Sequence, residues 1–191
     1  MPATLLDPKT ALVTIDLQKG LSNVPTIHPI REVTANASRL AEAFRHAQLP
    51  VIHVTVAFSA DGGDRLQTRS EASPRALPTS PEFSELMSDL RAQPGDLRVT
   101  KRQWSAFYGT DLDLQLRRRQ VTGIVLAGVA TSIGVDSTAR AAYERAYNLT
   151  FASDAMTDLD ADAHQHSLKK IFPRMGEIDS TGAIIALLRK R

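Results

Sequence analysis

The sequence predicts one α/β domain whose parallel sheet is covered by helices on both faces. Three observations predict it. Apolar, β-branched runs recur at Ala11 to Leu17, Val51 to Phe58 and Gly123 to Val129. Each is short and nearly continuous, as strands buried on both faces are. Segments with helical spacing of apolar residues lie between them, and strands alternating with helices build parallel sheets. The chain has 191 residues, enough for a single domain over 1–191 with a full-sized core.

The elements follow in order. The run ALVTIDL is the first strand. Arg31 to Ala47 is a helix, with Val33, Ala37, Leu40, Ala41 and Phe44 on one face. Leu49-Pro50 stops it before the second strand, VIHVTVAF. Ser59 to Pro81 is irregular, with Gly62-Gly63, Pro74, Pro78 and Pro81, and a long loop in a compact domain reads as a lid or rim. Leu97 to Thr100 is a weaker strand. Thr110 to Arg119 is a helix behind a threonine cap, and its Arg117-Arg118-Arg119 end complements the helix dipole. GIVLAGV is the next strand. Ser132 to Ala146 is an alanine-rich helix, Leu149 to Ala152 a weaker strand, Asp158 to Phe172 a helix with an acidic start, and Thr181 to Leu188 a closing helix.

Composition excludes several classes. Hydrophobic residues make up 42% of the chain, so it is not disordered. A net charge of +2 without a dense basic patch argues against nucleic acid as a partner. No apolar run approaches the roughly 20 residues of a membrane span. The opening MPATLLDPKT lacks signal-peptide features, so the cytosol is the expected compartment. There is no cysteine, which removes disulfides, thiolate metal sites and thiol nucleophiles together.

In an open parallel sheet, ligands bind beyond the carboxyl ends of the strands. Asp16 sits there after strand one, followed by Gln18. A carboxylate in an apolar run needs a partner or keeps its proton, although a turn aspartate at a strand exit is also a structural device. Lys101 and Arg102 follow the third strand. A lysine there is either a surface residue or the partner of Asp16. The turn Ala130-Thr131-Ser132-Ile133-Gly134 follows the fourth strand. Its amides offer an anion or oxyanion site, or simply the start of a helix capped by Thr131 or Ser132.

Together these segments resemble the isochorismatase-like hydrolases. ALVTIDLQ supplies the aspartate, VTKRQWSAF the lysine and GVATSIGVDSTARAA the turn, with AYNLTFASDAMTD further along. The resemblance runs from about Ala11 to Ile185. It implies a three-layer α/β/α fold around a six-stranded parallel sheet, with a short sixth strand near Glu177 to Asp179. It also implies a cis peptide at Val129-Ala130 and a homodimer or larger homo-oligomer. Asp16, Lys101 and Gly134 then take the catalytic positions. Gly134 stands where the family's nucleophilic cysteine is expected, as in true isochorismatases, so no thioester can form.

The resemblance therefore implies hydrolysis of a vinyl ether, releasing pyruvate from isochorismate, with Asp16 as general acid. A dicarboxylate substrate calls for basic donors, and Arg65, Arg69, Arg75 and Arg102 are the candidates, each otherwise a surface residue. Phe58, Trp104 and Phe107 are candidates for an apolar wall, with core packing as the other role for Phe107. Gln18, Ala130 and Thr131 complete the expected binding set. His28, His46, His53, His164 and His166 give no ligand-spaced pair near Asp16, so neither metal nor other cofactor is expected; mid-strand His53 reads as buried or paired. Two other functions stay open: a different hydrolase using Asp16 and water on another small acid or ester, and a catalytically silent binding or scaffold protein that has lost the nucleophile.

Overall fold

The computed structural model describes residues 2–71 and 77–190. Six strands form one sheet: β1 Thr10–Ile15, β2 Val51–Val56, β3 Leu97–Lys101, β4 Gly123–Val129, β5 Asn148–Thr157 and β6 Gly176–Asp179. Every pairing is parallel, and the order is β3-β2-β1-β4-β5-β6. The order reverses between β1 and β4, which makes the gap beyond their carboxyl ends the natural ligand site.

The two faces of the sheet have separate cores, so the architecture is the three-layer α/β/α one. Val13, Ile15, Val54, Leu126 and Phe151 pack against α2 (Leu112–Arg118), α3 (Asp136–Tyr143) and Phe172. The alternate positions Leu12, Val51, Val125 and Ala127 pack against α1 (Ile30–His46) and α5 (Thr181–Leu188). This is the period-two division of side chains that a twice-covered sheet imposes. A fifth helix, α4 (Ala161–His166), stands beside the turn that follows β4.

Most expected boundaries hold within two residues, and the exceptions have local causes. The first strand stops at Ile15 because Asp16 adopts φ +54°, outside the extended region. The fifth strand runs on to Thr157 through the polar pair Ser153-Asp154, because the Asp154 carboxylate accepts the Thr181 amide and hydroxyl at 2.7 and 2.8 Å. The expected helix from Ser132 opens as a π-helical turn, Thr131–Val135, and neither Thr131 nor Ser132 caps it with its own side chain. The expected helix from Asp158 starts later, behind Asp160, whose carboxylate accepts the Ala163 amide, and passes into a second π-helical turn, Ser167–Ile171. The peptide Val129-Ala130 is cis.

A buried polar network runs from the middle of β1 and β2 to Asp96, just before β3. His53 Nε2 lies 3.1 Å from Asp96 Oδ2, and its Nδ1 lies 2.8 Å from the Thr14 hydroxyl. Asp96 also accepts two bonds from Arg45, so its charge is already met. Burial therefore dominates and lowers the His53 pKa to about 4, against the pull of Asp96. Nε2–H then donates to Asp96 and Nδ1 accepts from Thr14. In the unfolded chain His53 protonates near pH 6.5, and in the fold only near pH 4. Its contribution is intact above pH 6.5 and is lost as pH falls toward 4, by about 3 kcal/mol in all. Urea titrations at pH 7 and pH 4.5 should show this loss in the native protein. The His53→Gln variant should show a smaller difference between the two pH values.

Candidate functional site

Asp16, Lys101 and Gly134 come from three different segments and meet at one point. Asp16 leaves β1 with its amide bonded to Val54 O at 2.9 Å, which ties it to the neighbouring strand. Lys101 is the last residue of β3, two strands away, and its Nζ donates to Asp16 Oδ2 at 2.7 Å. A second bond, to Gln103 O at 3.1 Å, fixes the ammonium from the other side. Both side chains are buried, at 8% and 3% exposure.

The remaining carboxyl oxygen, Asp16 Oδ1, is buried with no hydrogen-bond partner among the described residues. An ionised carboxylate in that state is costly, so the group favours its proton. Burial raises the Asp16 pKa, and the opposing attraction of Lys101 does not cancel it. The site thus holds a carboxyl group able to give up a proton, beside an ammonium that stabilises the carboxylate left behind.

Gly134 forms the third wall. A Cβ built on it would lie 3.3 Å from Asp16 Oδ2 and 3.0 Å from Ile15 Cγ2. These contacts are tight, so the glycine lets the backbone of the turn come close against the carboxyl group with no side chain between them. Its carbonyl accepts the Thr138 hydroxyl at 2.7 Å, and that hydroxyl in turn accepts the Ala106 amide, which links the loop after β3 to α3.

Other expected site residues have different surroundings. Gln18 is fully buried, and its amide group spans the main chain of Val56 and Phe83 with three hydrogen bonds, so it fastens the loop after β1. Phe107 packs in the core against Tyr147. The Thr131 hydroxyl donates to Thr157 O at 3.0 Å and faces His164 Nδ1 at 2.9 Å. Arg102 is paired with Asp64 at 2.5 Å. Arg65 lies over the Phe58 ring and donates to Leu77 O, and its Nε is buried with no partner among the described residues. Trp104 is 60% exposed at the rim, Arg69 is exposed, and Ala130 is buried at the end of β4. Arg75 and Pro74 lie outside the described residues.

Two acids were not anticipated. Asp158 is buried at the carboxyl end of β5, and its Oδ2 accepts the Ser132 amide at 2.6 Å. One amide of the expected anion site is therefore filled by the protein's own carboxylate. Asp64 ties the irregular loop to the rim through Arg102 and the Ser59 amide. Taking β5 to end at Ala152 hid the place of Asp158 among the strand ends.

The class the fold defines is the three-layer α/β/α one, here with a buried acid–ammonium pair beyond the carboxyl ends of the central strands. Residues 10–182 match the isochorismatase domain, and the chain belongs to that family. It is 46% identical over 175 residues to the isochorismatase family protein YwoC of Bacillus subtilis (strain 168), covering 91% of this chain and 90% of YwoC. It is 25% identical over 213 residues to the ureidoacrylate amidohydrolase RutB of Agrobacterium fabrum (strain C58 / ATCC 33970), covering 97% and 93%. The structure of an isochorismatase family protein from Burkholderia thailandensis superposes with a TM-score of 0.94 at 44% identity, over 97% of this chain and 98% of that one.

Proposed function

We propose that this isochorismatase-family hydrolase cleaves the vinyl ether of isochorismate, or of a closely similar small carboxylate, without a covalent enzyme intermediate. The observation that carries the proposal is the bare backbone of Gly134 close beside the buried Asp16 carboxyl group. With Gly134 taken as the position of the family's nucleophile, no side chain is there to attack, and the chain contains no cysteine. The relative RutB bears an amidohydrolase name. Amide cleavage through a thioester needs a thiol that this sequence lacks.

Asp16 donates its proton to the terminal enol carbon. The ether carbon becomes an oxocarbenium centre. Water adds its oxygen to that carbon and its proton returns to Asp16. The hemiketal then passes its hydroxyl proton to the ring oxygen and collapses to pyruvate and the dihydroxy product. Lys101 orients Asp16 and stabilises its carboxylate form. Arg65, with Phe58 beneath it, is proposed to meet a substrate carboxylate, since it has no acidic partner among the described residues, whereas Arg102 has Asp64.

The test is direct. The protein is mixed with isochorismate, and pyruvate is followed by NADH oxidation through lactate dehydrogenase. Steady turnover supports the proposal. No turnover by folded protein would sink it, leaving another substrate or a silent binder.

A further inference from the structure

We propose that Thr131 and His164 are positioning residues, which hold the turn carrying Gly134 against the Asp16 carboxyl group. This rests on the roles given to Asp16 and Gly134 in the proposed reaction. Thr131, expected from the sequence to touch substrate, works beneath the site.

The hydrogen-bond accounting points there. A threonine hydroxyl has one proton, and Thr131 gives it to Thr157 O. The 2.9 Å contact with His164 Nδ1 must then be a bond in which Nδ1–H donates to Thr131 Oγ1. Burial, and then the neighbouring His28, lower the His164 pKa, so the ring is neutral with its single proton on Nδ1. Both side chains are fully enclosed, at 0% and 1% exposure. The hydroxyl is thus committed on both sides and has no freedom to follow a ligand.

Three elements converge on this turn. β5 contributes the Thr157 carbonyl. The residue after it, Asp158, takes the Ser132 amide at 2.6 Å. α4 contributes His164. The loop before α1 braces the assembly: the His28 amide donates to Thr157 Oγ1 at 3.1 Å, and the His28 ring meets His164 edge-on at 5.1 Å. Thr131 is three residues before Gly134, and the turn between them has no side-chain cap of its own. These outside contacts act with the turn's own bonds, from the Ile133 and Val135 amides to Ala130 O and from the Thr138 hydroxyl to Gly134 O, in placing it. Small displacements of a reacting geometry cost far more rate than binding.

The experiment compares native protein with Thr131→Val, His164→Ala and His164→Asn. Valine keeps the shape of threonine without the hydroxyl. Asparagine keeps an N–H close to the place of Nδ1. Two readouts are taken: kcat and KM on isochorismate, and the titration of the Asp16 carboxyl carbon by 13C NMR, where Lys101 is the charged neighbour in all four proteins. Thr131→Val and His164→Ala should lower kcat about tenfold with KM within about twofold, and should move the Asp16 midpoint down as water enters. His164→Asn should restore both. Unchanged kcat and unchanged Asp16 titration in Thr131→Val and His164→Ala would overturn the proposal, as would an asparagine variant no better than alanine. If His164→Ala fails to fold, the near-isosteric Thr131→Val variant decides alone. If native protein is inert on isochorismate, the proposed reaction fails, and the Asp16 titration still decides the role of Thr131 and His164.

Discussion

Asp16→Asn is expected to lower kcat on isochorismate by about a thousandfold, within the range general acids contribute, while leaving the fold in place. Asparagine tolerates the φ of +54° at this position nearly as well as aspartate does. Its carbonyl oxygen can still accept from Lys101 Nζ, which also keeps its bond to Gln103 O. What disappears is the acidic proton. The near-unchanged far-UV circular dichroism of the variant, beside its lost turnover, would separate chemistry from stability. A variant that retains most of its rate would remove Asp16 from the reaction.

Gly128→Ala should have the largest effect on the fold itself. Gly128 is in β4 beside Ile15, with φ +127°, where a side chain is strained whatever the space. The space is also missing: an added Cβ would meet Ile15 O at 2.1 Å and Ile15 N at 2.6 Å. These atoms are main chain of the central strand and cannot swing aside. We expect destabilisation of about 4 kcal/mol or more, at the extreme of single substitutions, read as a large drop in the urea midpoint or as insoluble expression. A native-like midpoint would show that β1 and β4 can separate without cost, and with it that the register placing Asp16 opposite the Gly134 turn is loosely held.

The central strands were legible in the sequence because both faces are buried. ALVTIDL, VIHVTVAF and GIVLAGV have few polar interruptions, and the interruptions mark structure: Asp16 the strand exit, His53 the buried network with Asp96 and Thr14. The meeting of Asp16 with Lys101 was legible only as two charges at one sheet edge; their 2.7 Å contact depends on the strand order, which no local pattern encodes. Side chains consumed by the main chain were the hardest to foresee. Gln18 looks like a ligand contact in sequence, yet its amide is used by Val56 and Phe83, distant residues brought close by folding. Asp158 looked like the acidic first turn of a helix, whereas it closes the Ser132 amide across the sheet edge. The π-helical turns at Thr131–Val135 and Ser167–Ile171 left no mark, because their residues keep helical spacing and composition.

The most direct measurement is a turnover of isochorismate in 18O-labelled water, with lactate dehydrogenase and NADH present to trap pyruvate as it forms. If Asp16 protonates the enol carbon and water adds to the ether carbon, the heavy oxygen appears at C2 of lactate and the ring diol carries none. Label in the ring diol would mean that the bond between ring carbon and oxygen had broken instead, and would contradict the account.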